Sequence, residues 1–194
     1  MKSVLTSIQP YWVFLIIARI MGWTIPQEKT VEVRKDFPKD KAWNRKVAIY
    51  CTKSRRSFKR IPAQYQPFMK KLLGKVVGEF VCDQIENIDY TVGIGGDECL
   101  IICGGIVDTT CLTGRELYDY SKGKPLYGWH ISDLKLYDKP KRLGEFSYPC
   151  LSDGDCFRCK HFDYFLDPVT EGYCTKKERD FDRPPQSWCY VEGI

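Results

Sequence analysis

Seven consecutive residues, Lys29-Thr30-Val31-Glu32-Val33-Arg34-Lys35, constrain the fold more than any other stretch of the 194-residue chain. Side chains alternate across a β-strand, so Val31 and Val33 share one face while Thr30, Glu32 and Arg34 share the other. Two β-branched valines require an apolar layer on their side. The polar groups require solvent or a polar cleft on theirs. The segment therefore predicts a strand over residues 29–35 placed between a core and a polar space. Lys29 has the wrong parity to join Glu32 and reaches that face only from the turn or across a bulge. The polar face is either an exposed ion pair of small energetic weight or the wall of a cleft.

Other strand-like runs lie at 4–8, 46–52, 75–88 and 126–137, and helical patterns at 10–21, 64–74 and 113–121. Pro10 suits the first turn of a helix. Thr113 followed three residues later by Glu116 is a capping-box pattern, with Gly123 and Pro125 ending that helix. Residues 54–61 read as a basic loop. Residues 90–107 carry five glycines around Leu100-Ile101-Ile102. Their spacing does not match a dinucleotide fingerprint, and a flexible insertion or a hairpin is expected there. The strands are not separated by regular crossover helices, which excludes a doubly wound parallel sheet. The expected class is α+β, a small mixed β-barrel or sheet with flanking helices.

A content of 43% apolar and 28% charged residues excludes wholesale disorder. No apolar run approaches the roughly 18 residues of a membrane-spanning helix. The apolar run 11–18 imitates a signal peptide, but Gln9-Pro10 and Arg19 bound it and no small-residue cleavage site follows, so the reading is a buried helix and a cytoplasmic protein.

Charge is unevenly distributed. Residues 1–75 hold 17 Lys and Arg against 4 Asp and Glu, whereas 76–149 hold 7 against 12 and 150–194 hold 6 against 9. So basic a half-chain is either a solvated surface or the footprint of a polyanion. Arg34 and the loop residues Lys53, Arg55, Arg56, Lys59 and Arg60 are candidate phosphate contacts. Tyr50, Phe58, Tyr127 and Trp129 are candidate stacking surfaces for single-stranded bases, with core filling as the alternative for Tyr127 and Trp129. His130 is a structural hydrogen-bonding group or a nucleic-acid and acid–base candidate.

Five of the ten cysteines lie in the last 45 residues. Cys156 and Cys159 are separated by two residues, Cys174 follows after 14 and Cys189 after another 14. A tight pair with two distant thiols suits a tetrahedral thiolate site, expected to hold structural zinc, or else an iron–sulfur cluster. Cys150 and His161 are spare donors. The reading divides the chain into a main domain, 1–148, and a cysteine-rich module, 149–194, which also offers a surface for a protein partner. Cys51, Cys82, Cys99, Cys103 and Cys111 read as buried small hydrophobes.

The segment from Gln27 to Arg34 resembles the signature of the ASCH domain, Gly-x-Lys-x-x-Glu-x-Arg, with Lys29, Glu32 and Arg34 in place and Gln27 where the glycine stands. Ser7 to Pro10, Ile49 to Lys53, Val76 to Phe80, Tyr127 to Ser132 and Tyr137 to Pro140 follow the family's order, the last resembling its phage and prophage members. This resemblance spans 1–148. It implies a PUA-like β-barrel with a cleft beside the signature strand, and binding of RNA or a modified nucleoside. Some members are amidohydrolases that remove acyl groups from the exocyclic nitrogen of cytidine, and one branch is a ribonuclease. A hydrolase would use Lys29 as activated amine or cation and Glu32 as general base. The slot where acylcytidine-cleaving members carry a threonine holds Glu32 here. A phage-type interaction protein is the third reading.

Overall fold

The computed structural model describes residues 3–38, 44–88, 109–147, 181 and 183–191, and the backbone of 162–163 and 173–174. Its strands are β1 (Ser3–Ile8), β2 (Val31–Arg34), β3 (Arg45–Cys51), β4 (Lys75–Cys82), β5 (Ile85–Ile88), β6 (Leu126–His130), β7 (Ser132–Lys141), β8 (Phe162–Asp163), β9 (Tyr173–Cys174) and β10 (Trp188–Val191). The helices are α1 (Pro10–Ile17), α2 (Arg55–Phe58), α3 (Gln66–Leu72) and α4 (Gly114–Ser121), with 3-10 turns at Ala63–Tyr65 and Leu143–Glu145. The α+β class holds.

Five strands form one sheet in the order β10-β1-β3-β4-β7, with β1 and β3 parallel and the other pairs antiparallel. A second antiparallel sheet runs β2-β6-β5, and β8 pairs with β9. Among the described residues the sheets do not close into a barrel, which corrects the sequence expectation. The cause lies in the two longest expected strands, 75–88 and 126–137. Each breaks in two, and its halves join different sheets: β4 and β7 go to the first, β5 and β6 to the second. The breaks at Gln84 and Ile131 are stitched by His130 N–H to Gln84 O at 2.9 Å and Ile131 N–H to Thr30 O at 2.9 Å. Just beyond, Asp133 adopts a left-handed backbone, φ 43°.

The first sheet is buried on both faces at its β1 and β3 strands. Val4, Val47, Ile49 and Cys51 pack into a core with Val13, Phe14 and Ile17 of α1 and Met69 and Leu72 of α3. Leu5, Ala48 and Tyr50 point the other way, into a second core completed by Val76, Phe146, Phe181 and Val191. Double coverage explains why 46–52 is almost continuously apolar rather than alternating. Because β10 pairs antiparallel with β1, from Ser3↔Val191 to Thr6↔Trp188, the end of the expected C-terminal module belongs to the main sheet.

Local signals resolve unevenly. Helix α1 begins with Pro10 in its first turn and stops at Ile17, short of 21; the chain then turns through Gly22 at φ 64°. The expected basic loop contains the single turn α2, whose N-cap Ser54 accepts from Ser57 N–H at 3.4 Å. The capping box of α4 is present: Glu116 N–H donates to Thr113 Oγ1 at 3.2 Å, and Thr113 N–H donates to Glu116 Oε2 at 3.0 Å. The glycine-rich segment 90–107 lies outside the described residues. Among those described, no helix is long and apolar enough to cross a membrane.

Candidate functional site

A cleft of about 1170 Å³ opens where β1 and β3 end, beside β2. Ser7, Ile8 and Gln9 line one side and Thr52 another. Arg56, Ser57 and Arg60 come from α2 and the turn after it, and Glu116, Asp119 and Tyr120 from α4. Residues 184–186, leading into β10, form a further wall.

Three charged side chains of the signature strand lie at its floor. Lys29, Glu32 and Arg34 are 3%, 6% and 6% exposed. Glu32 Oε1 lies 3.0 Å from Arg34 Nη2, and Glu32 Oε2 lies 3.5 Å from Lys29 Nζ. Lys29 sits just before β2, so it escapes the strand's parity and reaches Glu32. Its ammonium donates to Val31 O at 2.7 Å and Thr110 O at 2.8 Å. Burial holds the Lys29 amine below the usual lysine range, against the opposing pull of Glu32. Arg34 Nη2 also donates to Ser7 O at 2.8 Å. Arg34 Nε and Thr52 Oγ1 are buried with no hydrogen-bond partner among the described residues.

The exposed-ion-pair alternative for this strand is thereby excluded. Register explains the burial. Glu32 stands opposite Trp129 and Arg34 opposite Tyr127, so the polar face of β2 is shared with two large aromatic rings. Trp129 packs against Trp188 of β10 with ring centroids 6.0 Å apart, and the valine face is covered too, Val33 against Leu117 and Leu126.

The other expected site residues separate. Arg56 and Arg60 line the cleft, whereas Lys53, Arg55 and Lys59 are exposed and outside its lining. Trp129 is 1% exposed and belongs to the first core, and Tyr50 is 6% exposed and belongs to the second, so neither offers a face to a base. This corrects their assignment as stacking surfaces. His130 has the opposite parity to Trp129 and lies outside the cleft. Its Nδ1 is 2.6 Å from Asp83 Oδ1, beside a separate pocket of about 190 Å³. Burial pushes the Asp83 carboxyl up, but hydrogen bonds from His130, its own backbone N–H and Ser132, with the charge of His130, together hold the group below its ordinary value.

Of the expected metal ligands, Cys156 and Cys159 lie outside the described residues, as do Cys150 and His161, and only the backbone of Cys174 is described, in β9. Cys189 is half-buried in β10 against the second core, and burial pushes its thiol up to about 12. Cys51 and Cys82 are buried, as expected, while Cys111 is only partly so. Among the described residues no cluster of three metal donors occurs.

Sequence reasoning missed Tyr11 and Trp12, read only as part of a buried helix. Arg60 lies over both: its Cζ is 4.1 Å from the Tyr11 ring centroid and 4.8 Å from that of Trp12. Arg60 Nη2 also lies 3.5 Å from Glu116 Oε1, so the capping glutamate of α4 reaches across to the opposite rim. Neither ring carries a local signal, because no Lys or Arg stands between Lys2 and Arg19 and the cation they meet is 48 residues beyond Trp12.

No protein-family model matches the chain, and no curated protein matches it. Solved structures do. The crystal structure of an ASCH protein from Zymomonas mobilis superposes with a TM-score of 0.52 at 17% identity, covering 97% of this chain and 87% of that one. A tyrosine-to-phenylalanine variant of the same protein gives 0.52 at 16% identity over 98% of this chain and 90% of that one. At such identities the likeness speaks for the fold: this chain has an ASCH-like fold.

Proposed function

We propose that the cleft binds RNA, seating a nucleoside unit against Lys29, Glu32 and Arg34. The burial of three formal charges at the floor of an open cleft carries this reading. Relative to packed hydrocarbon, a buried ionic group is neutral or unfavourable for stability, so a ligand is the better reason for having one. The buried, unpartnered Arg34 Nε and Thr52 Oγ1 are donors suited to carbonyl or phosphate oxygens. Glu32 is an acceptor suited to an exocyclic amine. Arg56, Arg60 and Lys122 on the cleft lining are suited to the backbone. The ASCH-like fold and the signature residues agree with this assignment. The test is binding of fluorescent single-stranded RNA as a function of salt. Affinity should fall with salt and be lost in Arg34→Ala. Absence of binding at low salt would sink the reading.

A second reading, hydrolysis of N-acylcytidine, is favoured by one observation: the buried Lys29 ammonium lies 3.5 Å from the Glu32 carboxylate. Glu32 would take a proton from the attacking water, and Lys29 would stabilise the oxyanion formed at the acyl carbon. Incubation with N4-acetylcytidine should then release cytidine and acetate in equal amounts. Lys29→Ala and Glu32→Ala should each abolish release. For the C-terminal thiols, the spacing supports a structural zinc or iron–sulfur site, which is proposed here on sequence alone.

A further inference from the structure

The cleft has a rim feature that its floor does not explain. Tyr11 and Trp12, consecutive on α1, set their rings at 63° with centroids 5.0 Å apart, and the guanidinium of Arg60 rests on both. One plane cannot lie parallel to two rings 63° apart, so contact with both restricts how the planar guanidinium can turn. Glu116 pairs with it from the opposite helix, its Oε1 3.5 Å from Arg60 Nη2 and its other oxygen held by the Thr113 N–H. The Arg60 side chain nevertheless remains 45% exposed. A cation wanted only for its charge needs none of this orientation. Cleft size points the same way, because about 1170 Å³ exceeds the roughly 300–1,000 Å³ that holds a drug-sized ligand.

We propose that Arg60, backed by Tyr11 and Trp12, is a stacking shelf for the base that neighbours the nucleotide seated in the cleft, so the ligand is a single-stranded oligonucleotide rather than a free nucleoside. The proposal rests on the nucleic-acid reading above and adds the class of ligand to it. Bases stack on arginine planes as they do on aromatic rings, and the geometry tolerates any base because each has a π-face. An RNA duplex cannot use the shelf, since its bases are already stacked on one another.

The experiment compares the ribodinucleotide CpA with the same molecule carrying an abasic ribose in place of adenosine, by titration of intrinsic tryptophan fluorescence. Both probes have one phosphate, so charge cancels and only the base differs. CpA should bind about tenfold more tightly to the wild-type protein, the scale of one stacked base. Arg60→Lys keeps the charge and removes the plane, and should bring CpA to the affinity of the abasic probe. Trp12→Leu should erode the same difference by removing the backing. Equal wild-type affinities for the two probes, or a full tenfold difference surviving in Arg60→Lys, overturn the shelf alone. Failure of the wild type to bind either probe overturns the nucleic-acid reading and the shelf with it.

Discussion

Ser7 holds Arg34 and the last strand at the same time: its carbonyl oxygen accepts from Arg34 Nη2 at 2.8 Å while its hydroxyl donates to Pro185 O at 2.7 Å. Its N–H donates to Ser187 O at 2.9 Å. A buried guanidinium of the cleft floor and a wall of the cleft are therefore positioned by one residue at the end of β1.

Ser7→Ala should accordingly disturb the site more than the fold. Loss of one hydroxyl hydrogen bond costs about 1 kcal/mol of stability. The backbone bonds to Arg34 and Ser187 persist, so the sheet survives. RNA affinity should fall several-fold because residues 184–186 lose their tether to the cleft. Paired denaturation and RNA titrations of wild type and variant check this; an affinity loss no larger than the stability loss predicts would separate Ser7 from the site.

The Lys29 environment predicts a pH effect of definite sign. Burial lowers its pKa in the folded protein, so between that value and the usual lysine value the unfolded chain binds more protons than the folded one. Stability contributed at Lys29 therefore rises as pH climbs through that window, by at most about 1.4 kcal/mol per pH unit. Cys51 and Cys82 act oppositely, since thiols pushed up to about 12 hold their protons longer in the fold and lose stability above pH 9. Comparing wild type with Lys29→Met by denaturation at pH 7 to 10 isolates the lysine. The difference in unfolding free energy should shift toward the wild type with rising pH, and a flat difference would mean that Lys29 is solvated.

In the basic segment, helical geometry divides what composition treats as one. Arg56 and Arg60 are four residues apart and both reach the cleft, while Arg55 and Lys59, also four apart, face away from it. Arg56→Ala should weaken RNA binding and reduce the slope of log K against log salt by about 1. Arg55→Ala should leave the slope close to that of the wild type. Equal effects would assign the segment a diffuse role.

The C-terminal thiols are checked by elemental analysis. One equivalent of zinc, or iron with a brown chromophore, is expected in the full-length protein and should be lost in Cys156→Ser, Cys159→Ser and Cys174→Ser. Cys189 carries an added cost, because its thiol must lose a proton from a half-buried place on β10. Metal retained in Cys189→Ser would replace it as a ligand, with Cys150 or His161 as the donor to test next.

What could be read from the sequence follows how local each cause is. The capping box at Thr113 and Glu116 spans four residues, and it is found where it was expected. The alternation in Val31–Arg34 placed both faces of β2, yet it could not show that Tyr127 and Trp129 share the polar one, because those rings arrive from a distant strand. Lys29 was legible as an exception to parity. Its partner Thr110 O, 81 residues away, was not. The breaks at Gln84 and Ile131 escaped notice because both flanks are equally strand-like, and only the pairing of their halves with different sheets reveals them.

The pairing of β1 with β10 bears on how the protein reaches this state. Thr6 and Ser187, joined across the two strands, are 181 residues apart in the chain. During synthesis β1 leaves the ribosome long before β10 exists, so one of its edges stays open while the rest of the sheet can assemble. Closure across so long a separation is slow, and an uncovered edge in the meantime is a template for misplaced strands of other molecules. The cleft, which borrows a wall from residues 184–186, is thus among the last parts of the molecule to form.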